Sequence, residues 1–85
     1  MKQNLQHHSI EKTWKNLSFI EQMANIGSEV ERAINWKEKN KDKYSKKAFF
    51  RAIELFNLTL LEIKSLSRLT EVARSRELFS DFFWG

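Results

Sequence analysis

The residues able to react or to ligate are few, and they are scattered. His7 and His8 are adjacent and are the only histidines. On a helix they would point in different directions, and a neighbouring pair falls short of the ligand count of a metal site. Without a later histidine there is no base for a hydrolase triad and no Glu-x-x-His pair for a di-iron bundle. No glycine-rich phosphate loop is present. Glu29, Glu54, Glu77 and Asp81 flank apolar stripes, yet no Glu-x-x-Glu or Glu-x-x-Asp spacing marks a carboxylate cluster for magnesium. Glu77 and Asp81, at i and i+4, repel unless a cation lies between them. Arg74, three residues before Glu77, supplies one. The expectation is therefore no enzyme, no cofactor and no metal. A metal-dependent enzyme on Glu29, Glu77 and Asp81 ranks third among the functional readings.

Two charged features stand out. Residues 36–47, WKEKNKDKYSKK, hold six Lys against Glu38 and Asp42, while the rest holds nine basic and nine acidic residues. The net charge of +4 is thus concentrated at one turn. Lys43, Lys46 and Lys47 fall at the start of an expected helix, where the dipole is already positive. Free amides with ammonium groups attract anions. Nucleic-acid or other polyanion binding through residues 37–47 is accordingly the second functional reading, although charge runs are more often simply solvated. Arg76 falls inside an apolar stripe, where a buried guanidinium needs a partner. Glu29, Glu54 and Asn57, placed on the buried side, are the available ones. A stem that carries the charge to the bundle edge is an equal alternative. Asn57 and Arg76 are expected to be structural.

The elements that must position these residues are helices. Proline is absent and glycine occurs only at 27 and 85, so the usual turn vocabulary of sheet proteins is missing. Apolar residues recur at three- and four-residue intervals instead. The spacing predicts an all-α three-helix bundle over about 18–39, 43–63 and 67–83. A short helical segment through Ile10, Trp14 and Leu17 packs alongside. Residues 1–8 read as a disordered tail and 9–85 as one domain. One continuous helix from Ala48 to Phe83 is the alternative, since no Gly or Pro enforces a break.

Ser18-Phe-Ile-Glu21 has the pattern of a capping box opening the first helix, with Leu17 placed as a staple residue. Phe19, Met23, Ile26, Val30, Ala33 and Lys37 form its seam. Beside them run Gln22, Asn25, Glu29, Arg32 and Trp36, a mostly polar stripe expected to face solvent. Gly27 borders the seam, and close approach of another helix is its expected compensation. Asn40 and Lys41 make the turn; Asp42 or Ser45 caps the second helix and Ser67 the third. The central stretch AFFRAIELFNLTLLEI is apolar on more than one face and needs neighbours on two sides. In the third helix Leu66, Leu69, Val72, Ala73, Phe79 and Phe83 share one side.

ANIGSEVERAINW (24–36), AFFRAIELFNLTL (48–60) and RLTEVARSRELFSDFFWG (68–85) together resemble a group of small prokaryotic all-helical proteins of unassigned activity. That resemblance spans roughly residues 14–85. It implies a compact helical domain and carries over no catalytic residue. Helical toxin ribonucleases of the HEPN type are also small bundles, but their Arg-x4–6-His motif is missing from this chain.

The leading functional reading is a homodimeric protein–protein interaction module. Phe50, Leu58 and Leu61 exceed the central helix's broad face, Leu78 and Phe82 lie opposite the third helix's seam, and Trp36 and Trp84 need cover. These seven are the expected interface, by which the chain would dimerise into a larger bundle. The alternative is that the N-terminal segment folds over the same surface. No apolar run is long enough to span a membrane, and residues 1–14 lack a signal-peptide core, so a cytoplasmic location without membrane association is expected.

Overall fold

The computed structural model describes residues 13–85. Among them the regular structure is all helical: α1 is Phe19–Glu38, α2 is Asp42–Glu62 and α3 is Leu66–Trp84. Residues 13–16 form a further helical turn ahead of α1. Residues 1–8 and Ile10 lie outside the described residues. The three long helices start and stop within one residue of the expected bounds.

Each boundary has a local cause. The Ser18 hydroxyl accepts from the Glu21 amide (3.1 Å), and the Ser18 amide donates to Glu21 Oε1 (2.8 Å). This capping box satisfies two amides that α1 would otherwise leave bare. Those hydrogen bonds, the one from the Ser18 amide foremost, hold the Glu21 carboxyl below the usual glutamate range. At the other end Asn40 adopts φ 60°, a left-handed conformation that asparagine tolerates better than most residues. The Asn40 amide then reaches the Lys37 carbonyl (3.0 Å) and the Lys41 amide the Trp36 carbonyl (2.9 Å). That is a Schellman closure, and it reverses the chain within three residues.

The caps of α2 and α3 differ from expectation. Lys41 occupies the N-cap of α2 and offers no side-chain bond; Asp42 already lies in the first turn. The Ser45 hydroxyl donates back to the Asp42 carbonyl (3.0 Å) inside the helix. Ser65, not Ser67, caps α3, accepting from the Arg68 amide at 3.4 Å. Ile63 is extended at ψ 130°, so α2 and α3 are separate helices rather than one rod.

α2 runs antiparallel to α1, as the Gln22–Thr59 contact shows, and α3 runs back antiparallel to α2, as the Asn57–Arg76 contact shows. Counting from Gln22–Thr59 along the hairpin places Ala33 level with Ala48 and Ile26 level with Leu55. Ala33 and Ala52 are fully buried, and such small side chains let two helices approach closely. α3 is attached to α2 through aromatic rings. Phe49 stacks on Phe83 (4.4 Å, 14°) and meets Phe79 (5.2 Å) and the edge of Trp84 (5.2 Å). Its contacts with α1 are cationic: Arg68 lies 4.2 Å over Phe19 and Lys37 4.9 Å over Phe83.

Three expectations about faces are corrected. Gln22 is buried rather than solvated. A methyl at Gly27 would meet nothing within 4 Å, so no helix approaches it closely. Leu66 and Leu69 are exposed although expected on the stripe of Val72 and Phe79. On the wheel Leu66 lies about 120° from the centre of the buried residues Val72, Phe79 and Phe83, and Leu69 at the edge of their stripe.

Candidate interaction surfaces

Three helices in a bundle leave three outer grooves, and they are filled unequally. The α1/α2 groove holds the N-terminal turn. Trp14 is buried there, and its indole N–H donates to the Thr59 hydroxyl (2.9 Å). Thr59 donates onward to Gln22 Oε1 (2.9 Å). Gln22 Nε2 returns to the carbonyls of Trp14 (2.8 Å) and Leu17 (3.4 Å). Every polar group of this ring is thereby paired inside the core, where an unpaired one is costly. Sequence reasoning missed the ring. Its one signal was Thr59, a hydroxyl inside the apolar seam of Ala48, Ala52 and Leu55.

The turn also lines one hollow together with Leu58 and Leu61. Leu58 is consequently half-buried within one chain, and Trp36 is half-covered by Tyr44 at 5.1 Å. Both are thus partly covered within one chain, whereas Leu61 in the same hollow is 80% exposed. The described turn 13–16 therefore covers a different face from the one that presents Leu78 and Phe82.

The α2/α3 groove is a cleft of about 280 Å³, with Phe49 and Ile53 among its lining. Phe50 and Trp84 frame one end, their rings 6.4 Å apart. Arg76 donates to Asn57 Oδ1 at 2.6 Å at the other. Asn57 is exposed and Arg76 half-exposed. The expected buried-side position of Asn57 is thus not observed: the pair bridges the rim of the cleft. Lys43, Lys46 and Lys47 are exposed on the outward face of the first two turns of α2, the same face as Phe50.

The α1/α3 groove is the third. Arg68 over Phe19 and Lys37 over Phe83 fix α3 parallel to α1. On the helical wheel Leu78 and Phe82 then lie on the α1 side of the core stripe of α3, and Trp84 on the α2 side. The facing flank of α1 carries Ile20, Gly27 and Ile34. Ile20, Leu78 and Phe82 are 79%, 62% and 61% exposed. Ile20 was not anticipated here, since it stands one position off the α1 seam.

Among the described residues no three acidic, histidine or cysteine side chains gather to hold a metal. Glu29 is engaged by Arg32 at 3.0 Å, so Glu29, Glu77 and Asp81 do not form a site. No described helix is long and apolar enough to cross a membrane. In comparisons with known proteins the chain matches no family model, no curated protein and no solved structure.

Proposed function

We propose that the chain is a cytoplasmic protein–protein interaction module that acts as a homodimer through its α1/α3 groove. The observation that supports this is the pair Leu78 and Phe82, one helical turn apart and both more than three-fifths exposed. Ile20 stands on the opposite lip, about ten residues or roughly 15 Å nearer the start of the groove. Isolated exposed leucines need no explanation, but a run along one groove is characteristic of an interface. Full burial of a Leu or Phe is worth about 1.5–3 kcal/mol, so the exposed parts of several such side chains can offset the cost of association.

A second copy suits this surface because it presents the same exposed apolar pair. The α1 lip carries Glu31 and Glu38, and the outer side of α3 carries Arg74 together with Glu71, which lies between Leu78 and Phe82 on the wheel; all are exposed. A two-fold axis along the groove sets the α1 lip of one copy against the α3 lip of the other. Leu78 and Phe82 of each copy then lie near the axis, over the partner's α1 flank.

Light scattering at tens of micromolar tests the proposal. The expected mass is that of two chains. Leu78→Glu or Phe82→Glu should reduce it to one with helix content retained. Leu61→Glu, which sits outside this groove, should leave it unchanged. A one-chain mass for the unaltered protein would sink the proposal.

A further inference from the structure

We propose a second and separate surface, for single-stranded nucleic acid, around the first turns of α2. Two aromatic pairs flank it. Trp36 and Tyr44 pack at 5.1 Å with a 31° tilt, and Phe50 and Trp84 at 6.4 Å with a 54° tilt. Tyr44, Phe50 and Trp84 are each more than half exposed. Between the pairs, on the outward side of α2, stand the exposed Lys43, Lys46 and Lys47. Tyr44 and Phe50 are six residues apart, about 9 Å along a helix axis, a length that a few nucleotides cover.

Single-strand binders combine these two parts: ring faces on which bases stack, and cations that follow the phosphates. Here the parts alternate as ring pair, lysine ridge, ring pair. Lys39, 5.5 Å over the Trp36 ring, places a further cation beside the first platform. At the second platform the α2/α3 cleft runs along to Arg76 at its rim. Glu77 also lines that cleft, so the phosphate path follows the lysines and not the cleft floor. The ring pairs decide between occupants. An acidic peptide would satisfy the lysines but has no use for two separated ring faces, whereas every base has a face to stack. None of these residues belongs to the lips of the α1/α3 groove, so either proposal can fail without the other.

The test is fluorescence anisotropy with a labelled oligothymidylate of about 12 nucleotides, with Trp36 and Trp84 emission as a second readout. Binding with tryptophan quenching is expected at low salt. The log–log salt slope should be about −2, from three lysines at roughly 0.7 each. Lys46→Gln should flatten that slope by about 0.7. Tyr44→Ala and Phe50→Ala should each weaken binding about thirtyfold, the middle of the stacking range, with circular dichroism unchanged. No anisotropy change at about 100 μM protein in low salt overturns the proposal. So does polyglutamate binding as tightly with no loss in Tyr44→Ala and Phe50→Ala, which would mark an acidic-peptide surface.

Discussion

The Thr59 hydroxyl is the middle link of the ring that holds the N-terminal turn on the bundle, and Thr59→Val removes it with almost no change in shape. The substitution strands two buried groups at once: the Trp14 indole N–H, which donates to Thr59 Oγ1 at 2.9 Å, and Gln22 Oε1, which accepts from it at 2.9 Å. Thr59 is fully buried and Trp14 and Gln22 nearly so, so water cannot replace the lost partner without opening the packing. A stranded buried polar group costs about 1–3 kcal/mol. Two of them, with partial relaxation of the Gln22 side chain, should destabilise the fold by about 2–4 kcal/mol. For a domain of this size each 1 kcal/mol moves the melting temperature by roughly 4–8 °C. The expected drop is therefore on the order of 10–25 °C. Thr59→Ser is the control: it keeps the hydroxyl and loses one methyl, for about 1 kcal/mol. Urea unfolding followed by circular dichroism, at one fixed protein concentration because association shifts apparent stability, measures both. Trp14→Phe on the Thr59→Val background removes one stranded donor and should recover about 1 kcal/mol as a coupling. If Thr59→Val loses no more than Thr59→Ser, the ring contributes nothing and the turn is held by apolar contact alone.

Two other perturbations follow from the helix termini and flanks. Gly27→Ala should stabilise the fold by about 0.5–1 kcal/mol, because the added methyl meets no atom within 4 Å and glycine disfavours helix interiors. It is best measured on the Leu78→Glu background, so that association does not enter, and a loss of stability there would show that the flank is crowded. The Glu21 carboxyl, lowered by the Ser18 amide bond, stabilises α1 while it is ionised. Because its folded value lies below the unfolded one, that contribution is complete above the ordinary glutamate range and fades as pH falls through the lowered value. An NMR titration of the Glu21 side-chain carboxyl carbon should show the lowered midpoint, and Ser18→Ala, which removes the hydroxyl but keeps the amide, should raise it only in part.

The helices and their ends were legible because their causes are local. Ser18 and Glu21 sit three apart whatever the tertiary structure, and Asn40 is the residue nearest the turn that best tolerates a left-handed backbone. The α2 and α3 caps were misread for the same reason. Asp42, Ser45, Ser65 and Ser67 are all competent capping residues, and the choice among them depends on where packing lets the first turn begin. Gln22 was misread because a polar side chain on a stripe of polar neighbours carries no mark of burial. Only Trp14 and Thr59, eight and 37 residues away in sequence, make its position favourable.

The surfaces were legible in number but not in allocation. Periodicity shows that α2 and α3 carry more apolar side chains than one core face can hold. It does not show which of three grooves each one lines. That is set by the direction of α3, and the direction is fixed by a few contacts: Phe49 on Phe83, Arg68 over Phe19 and Lys37 over Phe83. Once these are in place, the excess divides. Leu58 turns toward the groove that Trp14 fills, and Phe50 and Trp84 come together beside the lysine ridge. Leu78 and Phe82 fall on the flank shared with Ile20. The seven residues thus divide among three patches: Leu58, partly covered by Trp14, with Leu61 exposed beside it; Trp36, Phe50 and Trp84 beside the lysines; and Leu78 and Phe82 on the α1 side of α3. A two-fold partner suits the last because it supplies both lips at once. The same symmetry would offer the basic patch only more lysine, which is why a polyanion and not a second copy is the occupant proposed for it.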